Sequence, residues 1–346
     1  MDILETLNQL CSVGAPSGFE EPAAQVAAEL LRPLVDEVRI DRLGSVIGVK
    51  RCGRENAKKL VLDAHLDEVG LIVTGIEKGF LRFRSIGGVD PRILPDREVT
   101  VLADKHMMVV VVCLPPHILK PEEREKSIPI SDLFIDVGLS QERAEELIPI
   151  GTPIVYRESA FALGEKQVCG KSMDDRACFT CLLRTAEILK DVELDVDLYI
   201  MGSTFEEVSG AGAAAGTYAI DPDWCVAVDV THGKTPDSPA DRTCVLGGGP
   251  AIGIGPNMTR WMTNRMKSKA KEKGIACQYE VMGGHTGTNG WHMQVARKGI
   301  PTSVLSLPLK YMHTPVEVLD LSDVEALSRL LAAFATDLGK EAESVC

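Results

Sequence analysis

Two adjacent carboxylates, Glu206 and Glu207, stand in the stretch STFEEVSG, which follows the apolar run LDVDLYIMG, a run typical of a buried strand. Neighbouring residues of an extended chain point to opposite sides, so the two acids cannot play the same role unless the chain turns between them. One of them can bind a metal ion while the other acts as general base toward a water molecule. The pair therefore predicts a division of labour in a hydrolytic site.

Other segments also place metal-ligand residue types at the end of a strand or the start of a helix. These residues are His65 and Asp67 after KLVLDA, Asp229 after WCVAV, His313 after TSVLSLPLKYM, and Asp174 and Asp175 at a predicted helix start in KSMDDRACF. A single residue of this kind is usually a turn or cap residue. Ligands of open α/β sheets bind beyond the carboxyl ends of the strands, so the combination predicts one shared site.

Two histidines and three or four carboxylates suit a pair of divalent cations with open coordination positions. Zn²⁺ fits best, and Co²⁺ or Mn²⁺ can replace it. One carboxylate can bridge two ions about 3.5 to 4 Å apart. Asp67 lies two residues after His65, on the same strand face, and is predicted to accept the second N–H of that imidazole. Among the remaining histidines, His285 in GGHTGTNG is the strongest candidate for a further site residue.

The elements that must position these residues alternate between helix and strand at both ends of the chain. The first 35 residues predict helices, with Ser17 as a cap, and EVRIDRLGSVIGVK predicts a hairpin. From about Val69 to Tyr156 short strands with turn signals predict a small all-β unit. The alternation resumes after Lys166. We therefore expect a discontinuous α/β domain over 1–68 and 166–346 with a β-rich insertion over 69–165.

Composition narrows the class of protein. The 346 residues are 45% hydrophobic and 25% charged, as in ordinary globular proteins, and the formal charge of -13 argues against nucleic acid or an anionic membrane as partner. We expect a cytoplasmic protein, because neither a signal peptide nor a membrane span is evident and the ten cysteines show no disulfide spacing. The pair Cys178 and Cys181 predicts a buried helix face rather than a redox motif.

The motifs VLDAHLDEVG, GKSMDDRA, FEEVSGAGA, AVDVTH, GGGP and KYMHTPVEV resemble, in order and spacing, the clan MH metallo-aminopeptidases of the tetrahedral type, which include glutamyl and deblocking aminopeptidases. The resemblance implies a mixed-sheet, zinc-exopeptidase-like α/β catalytic domain with an inserted small barrel-like all-β domain. It also implies roles for the candidate residues: His65 and Asp229 hold one ion, Glu207 and His313 hold the other, Asp174 bridges, Glu206 is the base and Asp67 orients His65.

The resemblance further implies an aminopeptidase that acts on short peptides and forms a homo-oligomer, commonly of twelve subunits, through the inserted domain. Two alternatives stay open: a related dinuclear deacylase or dipeptidase, and a non-catalytic scaffold relative. Departures from the family pattern occur at Cys178, Ser209, Asn289 and Lys310. None removes a ligand or the base. They bear on substrate preference, because these loops flank the predicted site.

Overall fold

A computed structural model describes residues 1–123, 126–157 and 160–338. The helices of these residues are α1 (Ile3–Cys11), α2 (Glu21–Leu31), α3 (Gln141–Leu147), α4 (Met173–Leu189), α5 (Ala211–Ile220), α6 (Arg260–Glu272), α7 (Gly290–Met293) and α8 (Leu321–Leu338). The strands are β1 (Glu37–Ile40), β2 (Val46–Lys50), β3 (Lys59–His65), β4 (Gly70–Glu77), β5 (Phe80–Ile86), β6 (Glu98–Val101), β7 (Met107–Val112), β8 (Phe134–Asp136), β9 (Pro153–Tyr156), β10 (Phe161–Leu163), β11 (Gln167–Gly170), β12 (Asp197–Ser203), β13 (Trp224–His232), β14 (Ala251–Ile254), β15 (Gln278–Val281), β16 (Thr302–Leu309) and β17 (Glu317–Asp320).

The central element is an eight-stranded mixed sheet with the order β1-β2-β12-β3-β13-β16-β14-β15. Strands β12, β3, β13 and β16 run parallel to one another, so their carboxyl ends meet at one edge. The apolar residues of α1, α2, α4, α6 and α8 pack on one face of this sheet, and those of α5 and α7 pack on the other. The predicted α/β class is confirmed.

The segment between β3 and β10 forms a closed antiparallel barrel with the order β4-β5-β8-β7-β6-β9. Its strands enclose a hydrophobic core of their own, which includes Leu81, Val101 and Ile135. The predicted barrel-like all-β unit is therefore confirmed. Turn signals and short apolar runs predicted five of its strands, whereas β8 has only three residues and lacks a periodic pattern long enough to be recognised.

Local details agree with most of the sequence-based predictions. The hairpin of β1 and β2 forms as expected. Cys178 and Cys181 are both buried in α4, and all cysteines within the described residues are free thiols. The predicted cap at Ser17 is wrong, because α2 begins at Glu21 with Glu20 as its N-cap residue. In the described part of the chain, every helix is too short or too polar to cross a bilayer.

Candidate metal centre

The predicted site residues converge at the carboxyl edge of the central sheet. His65 ends β3 beside Ser203, the last residue of β12, so the turn that carries Glu206 and Glu207 begins next to this histidine. Asp229 lies near the end of β13 on the other side of β3. The start of α4 brings Asp174 to the same place. Parallel pairing of β12, β3 and β13 thus explains why residues far apart in sequence meet.

Asp174 lies between the two histidines. His65 Nε2 is 3.2 Å from Asp174 Oδ1, and His313 Nε2 is 3.2 Å from Asp174 Oδ2. The same nitrogen of His313 is 3.1 Å from Glu207 Oε1. Each oxygen of the Asp174 carboxylate thus faces a different imidazole, which is the arrangement that a carboxylate bridging two ions requires.

Backbone carbonyls fix the orientation of both imidazole rings. His65 Nδ1 is 3.1 Å from the carbonyl oxygen of Asp67, and His313 Nδ1 is 2.9 Å from that of Gly88. A carbonyl can only accept, so each Nδ1 carries a proton, and each Nε2 faces the carboxylates of the cluster. The Asp67 carboxylate, predicted to orient His65, lies 3.5 Å from Nδ1, and the backbone of Asp67 makes the closer contact.

The Asp67 carboxylate fixes the turn that carries the two glutamates. Its oxygens accept the backbone N–H groups of Glu206 at 3.0 Å and Glu207 at 3.1 Å, and the Ser17 hydroxyl at 2.5 Å. The preceding Phe205 has a φ of 61°, so the chain does turn at this point. Glu207 thereby contacts His313, while Glu206 Oε2 lies 3.9 Å from His65 Nε2.

A second group of potential ligands shares His65. Single ligand atoms of His65, Asp175 and Asp229 all lie within 4.8 Å of one another, as do those of His65, Asp174 and Glu207. Sequence analysis placed Asp175 at the helix start without giving it a role. Its Oδ2 accepts the backbone N–H of His65 at 3.1 Å. The two groups together form a continuous acidic cluster around one histidine.

The charges of this cluster fit cations. Burial raises the pKa of Glu206 to about 7, aided by Glu207 and Asp174 against the effect of His65. Burial also raises the pKa of Glu207 and, more strongly, that of Asp229. Within the described residues, Asp175 Oδ1 is buried without a hydrogen-bond partner, and buried Glu207 Oε1 has only the ring nitrogen of His313 beside it. Buried carboxylate oxygens that lack donors are costly unless a cation neutralises them, so these residues fit divalent metal ions.

Glu317 is a positioning residue that sequence analysis missed. Its Oε2 accepts the backbone N–H groups of Met173 at 2.7 Å and Asp174 at 3.2 Å, and its Oε1 accepts that of His313 at 2.8 Å. One buried carboxylate thus connects the two segments that carry Asp174 and His313. The only sequence signal was its place four residues after His313 in HTPVE.

The residues that depart from the family pattern lie around the cluster. Cys178 is buried in α4, and the Asn289 amide donates to Asp63 Oδ2 and to Ser203 Oγ, both at 2.9 Å. Ser209 lies on the glutamate turn, and the backbone of Lys310 pairs with Val318. His285 belongs to neither ligand group: its ring stacks against Trp291 at 4.4 Å between centroids.

Comparisons with known proteins agree with this geometry. The sequence profile described as M42 glutamyl aminopeptidase matches residues 44–330. The chain is 34% identical over 341 residues to the lysyl aminopeptidase of Pyrococcus furiosus, covering 96% of this chain and 97% of that protein. An aminopeptidase structure from Desulfurococcus kamchatkensis superposes with a TM-score of 0.91 at 32% identity, over 99% of this chain and 98% of the other.

The TET1 peptidase of Pyrococcus horikoshii, whose structure title says that it can assemble into a tetrahedron or a large octahedral shell, superposes with a TM-score of 0.86 at 30% identity. This match covers 97% of the present chain and all of the TET1 chain. The M42 family is metal-dependent, in agreement with the potential ligands described above. The chain therefore belongs to the M42 glutamyl aminopeptidase family and is a peptide hydrolase.

Proposed function

We propose that this protein is a dinuclear-metal aminopeptidase that removes N-terminal residues from short peptides. The observation that carries the proposal is the position of Asp174, whose two oxygens face two differently placed imidazoles at 3.2 Å each. His65 and Asp229 would hold one divalent ion, Glu207 and His313 the other, and Asp174 would bridge them. Zn²⁺ or Co²⁺ fits these ligands, and Mn²⁺ can take the place of either ion.

Glu206 is the general base of the proposed reaction. When bound, the two ions supply Lewis-acid activation of the scissile carbonyl and of the attacking water. Glu206 takes a proton from this water and delivers it to the leaving amine. Asp67 supports this role, because it fixes the backbone of Glu206 and Glu207.

The exchange Glu206→Gln tests this role. It keeps the size of the side chain and removes the base, so we expect kcat to fall by about 10²- to 10⁴-fold with both ions retained. Metal analysis and peptide hydrolysis on the same preparation measure the two quantities. The exposed Glu272→Gln is the control. Turnover of Glu206→Gln at the wild-type rate with metal bound would show that another group is the base.

We further propose a cytoplasmic homo-oligomer, with the inserted unit at 69–165 as the assembly domain and with twelve subunits as the expected size. Exposed apolar side chains on the barrel support this, since Met108 and Ile118 are each 68% exposed in the single chain. The shells described for the TET1 peptidase are a precedent in a related chain. The free thiols support a reducing compartment.

The decisive experiment is hydrolysis of a panel of aminoacyl-nitroanilides, each paired with its N-acetylated form, before chelation, after chelation and after return of Zn²⁺ or Co²⁺. Release from free-amine substrates alone, lost on chelation and restored by metal, supports the aminopeptidase. Cleavage of the blocked forms would instead indicate the deacylase alternative. A metal-loaded protein that cleaves neither form would indicate a scaffold relative.

A further inference from the structure

The carboxylate of Glu280 lies on the same face of the sheet as Asp229, beside the candidate metal centre. Thr231 Oγ1 donates to Glu280 Oε1 at 2.7 Å, and Ser306 Oγ donates to Glu280 Oε2 at 2.9 Å. Thr231 is two residues after Asp229 on β13, and Ser306 is the cross-strand partner of Asp229 on β16. Residues i and i+2 of a strand share a face, as do directly paired residues, so both hydroxyls lie on the sheet face that carries Asp229.

Glu280 reaches Ser306 and Thr231 from the edge of the sheet. Glu280 belongs to the edge strand β15 and pairs with Gly253 on β14, which separates it from β16. A Cβ atom at Gly253 would lie 3.0 Å from the carbonyl oxygen of Val304 and 3.4 Å from the sulfur of Met258, so this strand position is closely packed. The Glu280 side chain nevertheless extends across β14 and contacts Ser306 on β16 and Thr231 on β13.

The carboxylate is held in place but is not neutralised. Thr231 and Ser306 are buried and uncharged, whereas Glu280 is only half-buried and is therefore reachable from outside. Within the part of the chain that the structure describes, Glu280 makes no ion pair, and its side-chain hydrogen bonds come from these two hydroxyls. A fixed, partly desolvated carboxylate without a cationic partner is complementary to a positively charged group of a ligand.

We propose that Glu280 selects a basic residue, lysine or arginine, at the N-terminal position of the substrate; this inference rests on the aminopeptidase function proposed above. With the α-amine and the scissile carbonyl of the substrate held at the metal centre, the side chain of its N-terminal residue can extend along this face of the sheet past Ser306. Neighbouring strands are about 4.8 Å apart. The four-carbon stem of lysine or the longer fork of arginine can span such a step and place its charge against Glu280.

The test compares kcat/KM for lysyl-, arginyl-, leucyl- and glutamyl-nitroanilide in the wild type, Glu280→Gln and Glu280→Lys, with metal content checked in each. We expect the wild type to prefer the two basic substrates. Glu280→Gln should lower kcat/KM for them by about 10- to 100-fold, the range for losing a hydrogen bond to a charged group, and leave the leucyl substrate unchanged. Glu280→Lys should favour the glutamyl substrate. Glu272→Gln on α6 is the matched control.

The leucyl substrate separates a change of specificity from a loss of folding, because a misfolded variant would lose activity on all four substrates. If Glu280→Gln misfolds, Glu280→Asp replaces it in the test. This variant keeps the charge and must retain the preference for basic substrates. A wild type that cleaves the leucyl substrate but does not prefer lysine or arginine overturns the role of Glu280 alone. The same follows if Glu280→Gln lowers all substrates equally while its fold is intact. A metal-loaded wild type that is inactive on every free-amine substrate overturns the aminopeptidase proposal itself, and this inference with it.

Discussion

Glu68 is a buried anion whose two cationic partners lie next to the candidate metal centre. Lys171 Nζ is 2.7 Å from Glu68 Oε2, Arg176 Nη2 is 3.0 Å from Glu68 Oε1, and all three side chains are at most 3% exposed. Burial favours the neutral acid, yet the two cations hold the pKa of Glu68 below its ordinary value. Burial and the neighbouring Arg176 lower the pKa of Lys171 despite Glu68. The cations therefore depend on this carboxylate.

The exchange Glu68→Gln should destabilise the protein by about 3 to 5 kcal/mol at pH 7, because it leaves two buried cations without their anion. Urea unfolding measures the loss, and Glu77→Gln, which breaks the exposed pair with Arg82, should cost at most about 1 kcal/mol. Since the folded-state pKa of Glu68 is depressed, its contribution is present above the unfolded pKa and is lost as pH falls through the folded pKa. The difference in unfolding free energy between the wild type and Glu68→Gln should therefore narrow in acid. Equal losses of stability in Glu68→Gln and Glu77→Gln would contradict this role of Glu68.

At the scale of elements, α5 is built to approach the turn that carries Glu206 and Glu207. Its sequence AGAAAGTYAI contains two glycines, each of which costs a helix about 1 kcal/mol relative to alanine. A Cβ atom at Gly212 would lie 2.4 Å from the carbonyl oxygen of Thr204, whereas one at Gly216 would meet the sulfur of Met201, which can move. Gly212 therefore faces backbone that cannot move aside, whereas Gly216 faces a flexible side chain that can.

The exchange Gly212→Ala should lower stability by about 1 to 3 kcal/mol and reduce kcat, because the added methyl group pushes the Thr204 backbone and with it the two glutamates. Unfolding and turnover are measured on the same preparation. Gly216→Ala should cost less, since the gain in helix propensity offsets the shift of Met201. Gly75→Ala in the barrel, where the new atom meets only ordinary contacts, serves as the neutral control. A Gly212→Ala protein with full stability and turnover would refute the close approach.

Sequence patterns predicted the strand ends and the polar side chains that follow them. His65, Asp229 and the glutamate pair could be placed together because the carboxyl ends of parallel strands meet at one edge. The cap at Ser17 failed for the opposite reason: its hydroxyl binds Asp67, 50 residues away, and a local pattern carries no information about such a contact. The side-chain contact between Glu280 and Ser306 is equally non-local. Residue types were thus predictable, but their hydrogen-bond partners were not.

At the scale of the whole molecule, folding gathers negative charge in one place. The chain carries a formal charge of -13, and five carboxylates meet around His65 and His313: Asp174, Asp175, Glu206, Glu207 and Asp229. Like charges that are brought together in a buried site oppose folding. Burial, together with the neighbouring carboxylates, raises the pKa values of Glu206, Glu207 and Asp229, which expresses this cost. Cations that bind only the folded cluster therefore stabilise the molecule as a whole.

Removal of metal should consequently lower the melting temperature of the wild type, and return of Zn²⁺ or Co²⁺ should restore it. At a free metal concentration about a thousand times Kd, a ligand that binds only the folded state adds about 4 kcal/mol of stability. Thermal melting of matched samples, with metal content analysed, measures this increment. Asp174→Asn should lose most of the metal-dependent increment, because in the proposed arrangement its carboxylate contributes to both ion sites, whereas the exposed Asp221→Asn should keep it. If chelation removes the metal and leaves the melting temperature of the wild type unchanged, the cluster does not couple cation binding to the fold. If the increment persists in Asp174→Asn, the metal binds elsewhere.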